Sequence, residues 1–402
     1  MFASPTNALR RLIRPRPASS HRTPRHEIAI AHDYLTQRGG AERVVLALHR
    51  IFPDAPIHTT LYDPEGTFPE FRDARIITSP LNRIGFLRRH HRMALPLLPL
   101  ASSLLRVPAR LSIVSTTGWA HGFRFDGDRL VYCHSPARWI YLSDQYLGDR
   151  AGKGPMSWVL AAMLPFLRRW DQKAAHRHEG DYLANSSVVR DRIRRIYGFE
   201  APVLFPPHSV DVQAPVEPID EVPWDGTARA DGGTGEFFVI VSRLLPYKNV
   251  QHAVEAFRDL PEHNLLVIGA GPLYQPLRTQ APPNVRVARG LTDAQMRWAY
   301  SRARAVLAVS YEDFGITPLE AGAYGKPVIA LRAGGFLDTL REGVTGAFID
   351  EPTAPAIREA VQALDPRDYD AERIREHARA FGIERFEDQL REQLRRRGLL
   401  CG

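Results

Sequence analysis

Cysteine is scarce in this chain. Cys133 and Cys401 are the only two in 402 residues, too few and too far apart for a disulfide framework or a cysteine metal cluster, and such usage fits a reducing cytoplasm. Long apolar runs are missing as well: the stretch 158–167 is interrupted by Pro165 and falls well short of the roughly 18–20 residues a spanning helix needs, so no bilayer crossing is expected. The 15 histidines are scattered without metal-ligand spacing, and neither a metal nor a cofactor is expected. Acidic residues are absent from the first 26 positions, whereas Arg10, Arg11, Arg14, Arg16, Arg22 and Arg25 account for most of the net charge of +8. Being rich in Pro and Ser and lacking a continuous apolar core, residues 1–26 read as a disordered basic leader, not a secretory signal. Without them the chain is close to neutral, which argues against nucleic acid as a partner.

What remains has the balance of a soluble globular protein, 44% hydrophobic and 24% charged, and its length calls for two domains. From Glu27 onward, short apolar runs alternate with amphipathic stretches. Strands are expected at 28–31, 57–61, 76–77, 113–114, 130–133 and 182–184, with helices at 41–50, 155–178 and 187–197. This β-then-α rhythm predicts a parallel sheet covered by helices, a first domain over 27–205. Residues 206–235, loaded with Pro, Gly and acids, read as a linker. A second alternating series then fills 236–365, predicting another doubly wound domain. The segment 366–402 is helical and charged all round except for a stripe of Ile374, Phe381, Ile383, Phe386 and Leu390, which needs a surface to cover it.

Tandem open parallel sheets leave a cleft beyond the carboxyl ends of their strands, so the residues that follow each strand are the candidates for chemistry. The richest segment runs Tyr311-Glu312-Asp313-Phe314-Gly315-Ile316-Thr317-Pro318-Leu319-Glu320. Pro318 suits the start of a helix, whose free N–H groups attract anions; Gly315 would let a diphosphate approach the backbone; two carboxylates could accept hydrogen bonds from sugar or ribose hydroxyls. Thr317-Pro-Leu-Glu320 also satisfies the capping box, in which Glu320 merely reaches back to the helix start. That reading explains neither Glu312 nor Gly315.

Glu312-x7-Glu320 with its inner Phe314-Gly315-Ile316 resembles the signature of the family-four retaining glycosyltransferases. Other pieces agree in order: Ser242-Arg243-Leu-Leu-Pro-Tyr-Lys248-Asn249 after the first strand of the second domain, Gly269-Ala-Gly271-Pro272, Gly39-Gly40-Ala41-Glu42, and Tyr132-Cys133-His134-Ser135-Pro136-Ala-Arg138-Trp139, which is similar to a motif of members that transfer mannose to bacterial polysaccharide and lipid-linked acceptors. The resemblance implies the α/β GT-B architecture, two facing Rossmann-like domains with a C-terminal helix packing back toward the first. It further implies that Arg243 and Lys248 hold the donor diphosphate, Glu312 the sugar hydroxyls, Glu320 the ribose, and His134 the sugar from the opposite domain. Gly39, Gly40, Gly269, Gly271, Phe314, Gly315, Ile316 and Thr317 complete the expected donor site. Asp33, just after the first strand, reads as a loop residue or cap. The expected reaction moves a hexose, most simply mannose from GDP-mannose, onto a glycan or polyprenyl-diphosphate-linked acceptor. UDP-glucose or GDP-fucose donors, a sugar phosphorylase, an inactive partner subunit and a non-catalytic basic binding protein are the alternatives.

Between 81 and 111 the chain holds Arg83, Arg88, Arg89, Arg92, Arg106 and Arg110 and no acid, interleaved with Ile84, Phe86, Leu87, Met93 and the run 95–100. A basic face beside an apolar one predicts peripheral contact with an anionic membrane, at the inner face of the cell envelope. A core helix with a solvated basic face would carry the same pattern.

Overall fold

The computed structural model describes residues 25–95, 97–141, 155–224 and 235–400. Most of the basic leader, residues 225–234 of the expected linker and Cys401 lie outside the described residues. In chain order the strands are β1 (His26–His32), β2 (Ile57–Thr59), β3 (Ile76–Thr78), β4 (Arg106–Val107), β5 (Ala109–Thr116), β6 (Arg124–Phe125), β7 (Asp128–Cys133), β8 (Tyr182–Ala184), β9 (Phe237–Val241), β10 (Asn264–Ile268), β11 (Val285–Ala288), β12 (Ala305–Ala308), β13 (Val328–Leu331) and β14 (Gly346–Ile349). They build two six-stranded sheets, ordered β3-β2-β1-β5-β7-β8 and β11-β10-β9-β12-β13-β14, while β4 and β6 pair as a separate ribbon.

All neighbours within the two large sheets run parallel. Sequences such as Phe-Phe-Val-Ile-Val in β9 and Asn-Leu-Leu-Val-Ile in β10 explain the choice, because a parallel strand is covered on both faces and has no polar side to show. In each sheet the order reverses beside the first strand, between β1 and β5 and again between β9 and β12. Such a switch point opens a crevice outside the carboxyl ends of the strands. Each domain therefore offers one place where a ligand can enter, and the two crevices decide where chemistry can occur.

The second sheet and its helices close over one core that includes Phe237, Phe238, Leu265, Val306 and Ile329. The described part of the expected linker, residues 206–224, has no helix or regular strand, yet Ile219, Val222 and Trp224 are buried in that same core, Trp224 lying 6.2 Å from Phe237. Proline and acid content marked the segment as exposed connection, whereas a few apolar side chains anchor it.

The C-terminal segment forms two helices, Ala371–Arg379 and Ile383–Arg396. Ala371–Arg379 packs on the second domain, where the methyl of Ala378 approaches Gly322. The chain breaks at Ala380–Gly382, and Ile383–Arg396 then lays Phe386, Leu390 and Leu394 on the first sheet, Phe386 edge-on to Tyr132 at 5.9 Å. The three residues recur every fourth position and so share one face. Burying each is worth about 1.5–3 kcal/mol. The break falls where the chain crosses between domains, and the apolar stripe finds its cover on the first.

One buried side chain in the first sheet carries a pH dependence. His58 on β2 is buried, and among the described residues neither ring nitrogen has a hydrogen-bond partner. Burial, with the charges of His26 and Arg75, pushes its pKa down to about 4 from 6.5. The unfolded chain therefore binds the proton first as pH falls, so this site costs stability increasingly from about pH 6.5 down to about pH 4 and not further below. Between pH 7 and pH 5 it should remove about 2 kcal/mol. Urea unfolding at both pH values should register that loss, and His58→Leu should abolish most of this increment.

Candidate active site

At the switch point of the second sheet, β9 runs into the loop 242–249, which ends in a short 3-10 turn at Pro246–Lys248. Asn249 follows in the left-handed region at φ 59° and donates from Nδ2 to the carbonyl of Val309 at 3.1 Å. That bond ties the loop to the end of β12, the neighbouring strand across the crevice. Lys248, 5% exposed, consequently points its ammonium at Glu312, and the two form an ion pair. Ser310 donates to the same Glu312 oxygen at 2.9 Å. Burial lowers the Lys248 pKa, with the Glu312 carboxylate working against that effect. Arg243 is exposed and donates to the Tyr247 hydroxyl at 3.2 Å, and the Tyr247 ring lies 5.2 Å from the Lys248 ammonium.

Gly269 and Gly271 act on this loop from behind. A Cβ at Gly269 would stand 1.8 Å from the carbonyl oxygen of Ser242, and one at Gly271, where φ is 153°, 2.4 Å from that of Leu244. Leu244 donates to Ala270, and Leu273 to Leu244. The structure thus places these glycines as the surface on which the cationic loop rests.

The segment 311–320 is held with similar closeness. Gly315 adopts φ 77°, and a Cβ there would meet the Phe336 ring at 2.4 Å. Gly335 donates to the Glu312 carbonyl at 2.8 Å, while Gly334 allows its chain to pass against that carbonyl. Lys248, Glu312, Thr317, Ser310 and Phe336 line one small cavity. Ile316 is the helix's N-terminal flank, and Thr317 lies inside Thr317–Ala323 with no side-chain cap bond. The capping box is therefore not formed: Thr317 has entered the helix one position too early to cap it. Glu320 instead accepts from the Tyr300 hydroxyl at 2.8 Å and faces Arg43 of the first domain at 3.6 Å.

His134 directly follows β7 of the first sheet, buried, with Nε2 at 2.8 Å from Ser115 Oγ. Burial, aided by His32 and Arg138, lowers its pKa to about 3. Gly39 precedes the helix Gly40–Ile51, where a Cβ would stand 2.6 Å from a Glu42 carboxylate oxygen, whereas a Cβ on Gly40 would meet nothing within 4 Å. Asp33 does more than cap: buried after β1, it accepts from the backbone N–H groups of Thr117, Trp119 and Ala120 and from the hydroxyls of Thr116 and Thr117. It pins the loop after β5 at the first switch point.

Four residues with no expected role, Arg138, Ser135, Arg192 and Asp313, bring the domains together. Arg192 forks onto both oxygens of Asp313 at 2.7 and 2.9 Å and donates to Ser135 Oγ at 2.7 Å, and Arg138 adds a second cation to Asp313. Burial alone would raise the Asp313 carboxyl, but Arg138 and Arg192 offset that and hold it below its ordinary value. Ser135 follows His134 and Asp313 follows Glu312, so Arg192 bridges the neighbours of the two expected sugar-facing residues. Residues 121 positions apart leave no spacing signal, and only the Asp within the motif hinted at the contact.

These two crevices, facing each other across charged bridges, define the GT-B architecture. Residues 229–381, most of the second domain, match the family described as "Glycosyl transferases group 1". Over 207 residues it is 30% identical to a GDP-mannose-dependent alpha-(1-6)-phosphatidylinositol monomannoside mannosyltransferase of Mycolicibacterium smegmatis, covering 45% of this chain and 52% of the relative. It is 34% identical over 164 residues to a D-inositol 3-phosphate glycosyltransferase of Corynebacterium efficiens, covering 35% of this chain and 38% of the relative. The matches thus span about half or less of those relatives' lengths. Among solved structures, a sucrose-phosphate synthase from Thermosynechococcus elongatus superposes with a TM-score of 0.65 at 18% identity, over 92% of this chain and 99% of that one. Anabaena Alr3699/HepE in complex with UDP-glucose gives 0.63 at 18%, with the same coverage. These likenesses establish the fold.

The bridge has a measurable weight. Asp313→Ala would leave Arg192, 5% exposed, without its carboxylate, which should cost about 3–5 kcal/mol. Arg138→Ala removes a cation that is 40% exposed and should cost below about 1 kcal/mol. Denaturant unfolding of the two variants beside the wild type checks the ranking.

Proposed function

We propose that the chain transfers a hexose from a nucleotide sugar to a hydroxyl of a glycan or lipid-linked glycan, with retention at the anomeric carbon, and that the donor is GDP-mannose. The observation that carries the reading is the Lys248–Glu312 pair with Ser310 at the second switch point, held opposite His134 by the Arg192 bridge. A cation and a hydrogen-bond acceptor side by side suit a diphosphate and the hydroxyls of the sugar it carries. The GDP-mannose dependence of the Mycolicibacterium relative supports the mannose assignment. The HepE complex with UDP-glucose supports a second reading, in which the same site takes that donor.

Retention follows if both bonds change on one face of the sugar. The anomeric bond to the diphosphate breaks, the acceptor oxygen bonds to the same carbon from the same side, and the acceptor's proton passes to the departing diphosphate oxygen. Arg243 and Lys248 neutralise the charge that grows on the leaving group, a task that needs preorganised cations. Glu312 holds sugar hydroxyls and Glu320 the ribose, and the scheme requires no metal. In Lys248→Ala and Arg243→Ala, turnover of GDP-mannose should fall at least about a hundredfold while circular dichroism stays unchanged; activity persisting in either variant defeats the assignment. A donor panel of GDP-mannose, GDP-fucose and UDP-glucose, run with and without a chelator, identifies the nucleotide sugar and tests metal independence.

The acceptor side carries a surface of its own. Residues 81–104 fold into short helices anchored by Leu87 and Leu98, while Ile84, Phe86, Met93, Leu97, Leu100 and Leu104 are exposed, Leu100 by 62%. Trp170 donates to Ser103 at 2.9 Å, which brings the exposed Phe166, one turn earlier, to the same region. Exposed Arg83 and Arg89 accompany them. An apolar patch edged by cations fits an anionic bilayer, the surface on which a lipid-linked acceptor lies. Among the described residues no helix is long and apolar enough to cross a membrane, so the contact is peripheral. Co-sedimentation with phosphatidylglycerol vesicles at low salt should be strong for the wild type and reduced at least about tenfold by Arg83→Glu with Arg89→Glu, each charge near the surface being worth about 1 kcal/mol.

A further inference from the structure

His134 does not stand alone. Its Nε2 lies 2.8 Å from Ser115 Oγ; that hydroxyl lies 3.0 Å from His32 Nδ1; and His32 Nε2 faces Glu42 Oε1 at 3.9 Å. The four residues come from β7, β5, β1 and the helix Gly40–Ile51, and all are buried. Hydrogen positions in this chain follow from one carbonyl. His32 Nδ1 is also 3.1 Å from the Ser115 backbone oxygen, which can only accept, so Nδ1 carries a proton. Ser115 Oγ shares that proton and thus acts as acceptor toward His32. Among the described residues its own hydrogen has one acceptor in reach, His134 Nε2. A neutral imidazole that accepts at Nε2 keeps its proton on Nδ1.

We infer that Glu42, His32 and Ser115 are positioning residues that lock His134 in the Nδ1–H form, so that it meets the donor sugar as a hydrogen-bond donor and never as a base. The role toward the sugar rests on the function proposed above; the tautomer does not. Gly39 belongs to the same device. With a side chain there, the Glu42 carboxylate would be displaced from its place beneath the helix start, and Gln37, which donates to Glu42 at 3.0 Å, braces it. The charged groups around the chain agree. His32 faces Glu42 from the helix and Asp33 from its own strand; burial opposes its proton, yet these carboxylates raise its pKa overall. His134 faces His32 and Arg138, both disfavouring a second proton. With a proton held on His32 Nδ1, the Ser115 hydroxyl accepts there and turns its own hydrogen toward His134.

The test is a two-bond ¹H–¹⁵N correlation spectrum of the full chain labelled at histidine, with His134 assigned by its loss in His134→Phe. Expected for the wild type is a neutral Nδ1–H pattern for His134, unchanged from pH 5.5 to pH 8. Ser115→Ala should convert it to the Nε2–H pattern favoured by free imidazole, and Ser115→Thr, which keeps the hydroxyl, should restore it. Donor affinity should fall about tenfold in Ser115→Ala, the size of one lost hydrogen bond, and recover in Ser115→Thr. An Nε2–H pattern in the wild type, or a titration between pH 5.5 and pH 8, overturns the inference. If the Nδ1–H pattern is present but His134→Phe turns over normally, the lock stands and the sugar-facing role fails.

Discussion

The carboxylate of Asp313 is the point on which this molecule is organised. It belongs to the second domain, is 8% exposed, and is held by two arginines of the first. A buried charge is tolerable only when its partners are in place, so this side chain constrains the relative position of the two sheets. Both candidate sugar-facing residues adjoin this bridge in sequence. Whatever sets Asp313 between Arg138 and Arg192 also brings together the chain next to His134 and the chain next to Glu312, and electrostatics that serve stability serve geometry as well.

A second tie works by different physics. Phe381 at the tail break packs tilted against Phe205 and Phe314 at 5.4 and 6.3 Å, and Phe205 stacks on Phe314 at 5.8 Å. His208 is bonded by its backbone N–H to Phe381 and by its ring to the Ala378 carbonyl, 3.0 Å each. The aromatic cluster joins the connecting segment, the donor-side loop and the tail in one place. Ion bridge and aromatic cluster flank the same loop, which makes residues 311–316 the most constrained stretch of irregular backbone in the site.

The strands were legible because a parallel strand must be apolar throughout, and the chain announces that with runs such as 237–241 and 264–268. The cation and carboxylate of the second crevice were legible because they follow strands at a switch point and sit in a recognisable motif. Asp313 with Arg192 was not, since a bond across 121 positions has no local pattern. Glu320 misled in a different manner: the letters Thr-x-x-Glu fit a cap, but capping depends on which residue keeps extended backbone, and Ile316 and Thr317 both turn helical. Glycines were legible as needed and opaque as to purpose. Gly269 and Gly271 read as ligand contacts, and the structure shows them making room for Ser242 and Leu244.

The last helix also fixes an order of events during synthesis. Phe386, Leu390, Leu394 and Leu399 lie in the same core cluster as Ile30, Leu111 and Ile113. As the chain leaves the ribosome, the first sheet emerges long before the side chains that finish its core. The second domain, whose core is its own, is ready earlier despite being made later. A nascent first domain therefore waits with an uncovered apolar face, and its core is sealed only when the helix Ile383–Arg396, made after the whole second domain, returns to it.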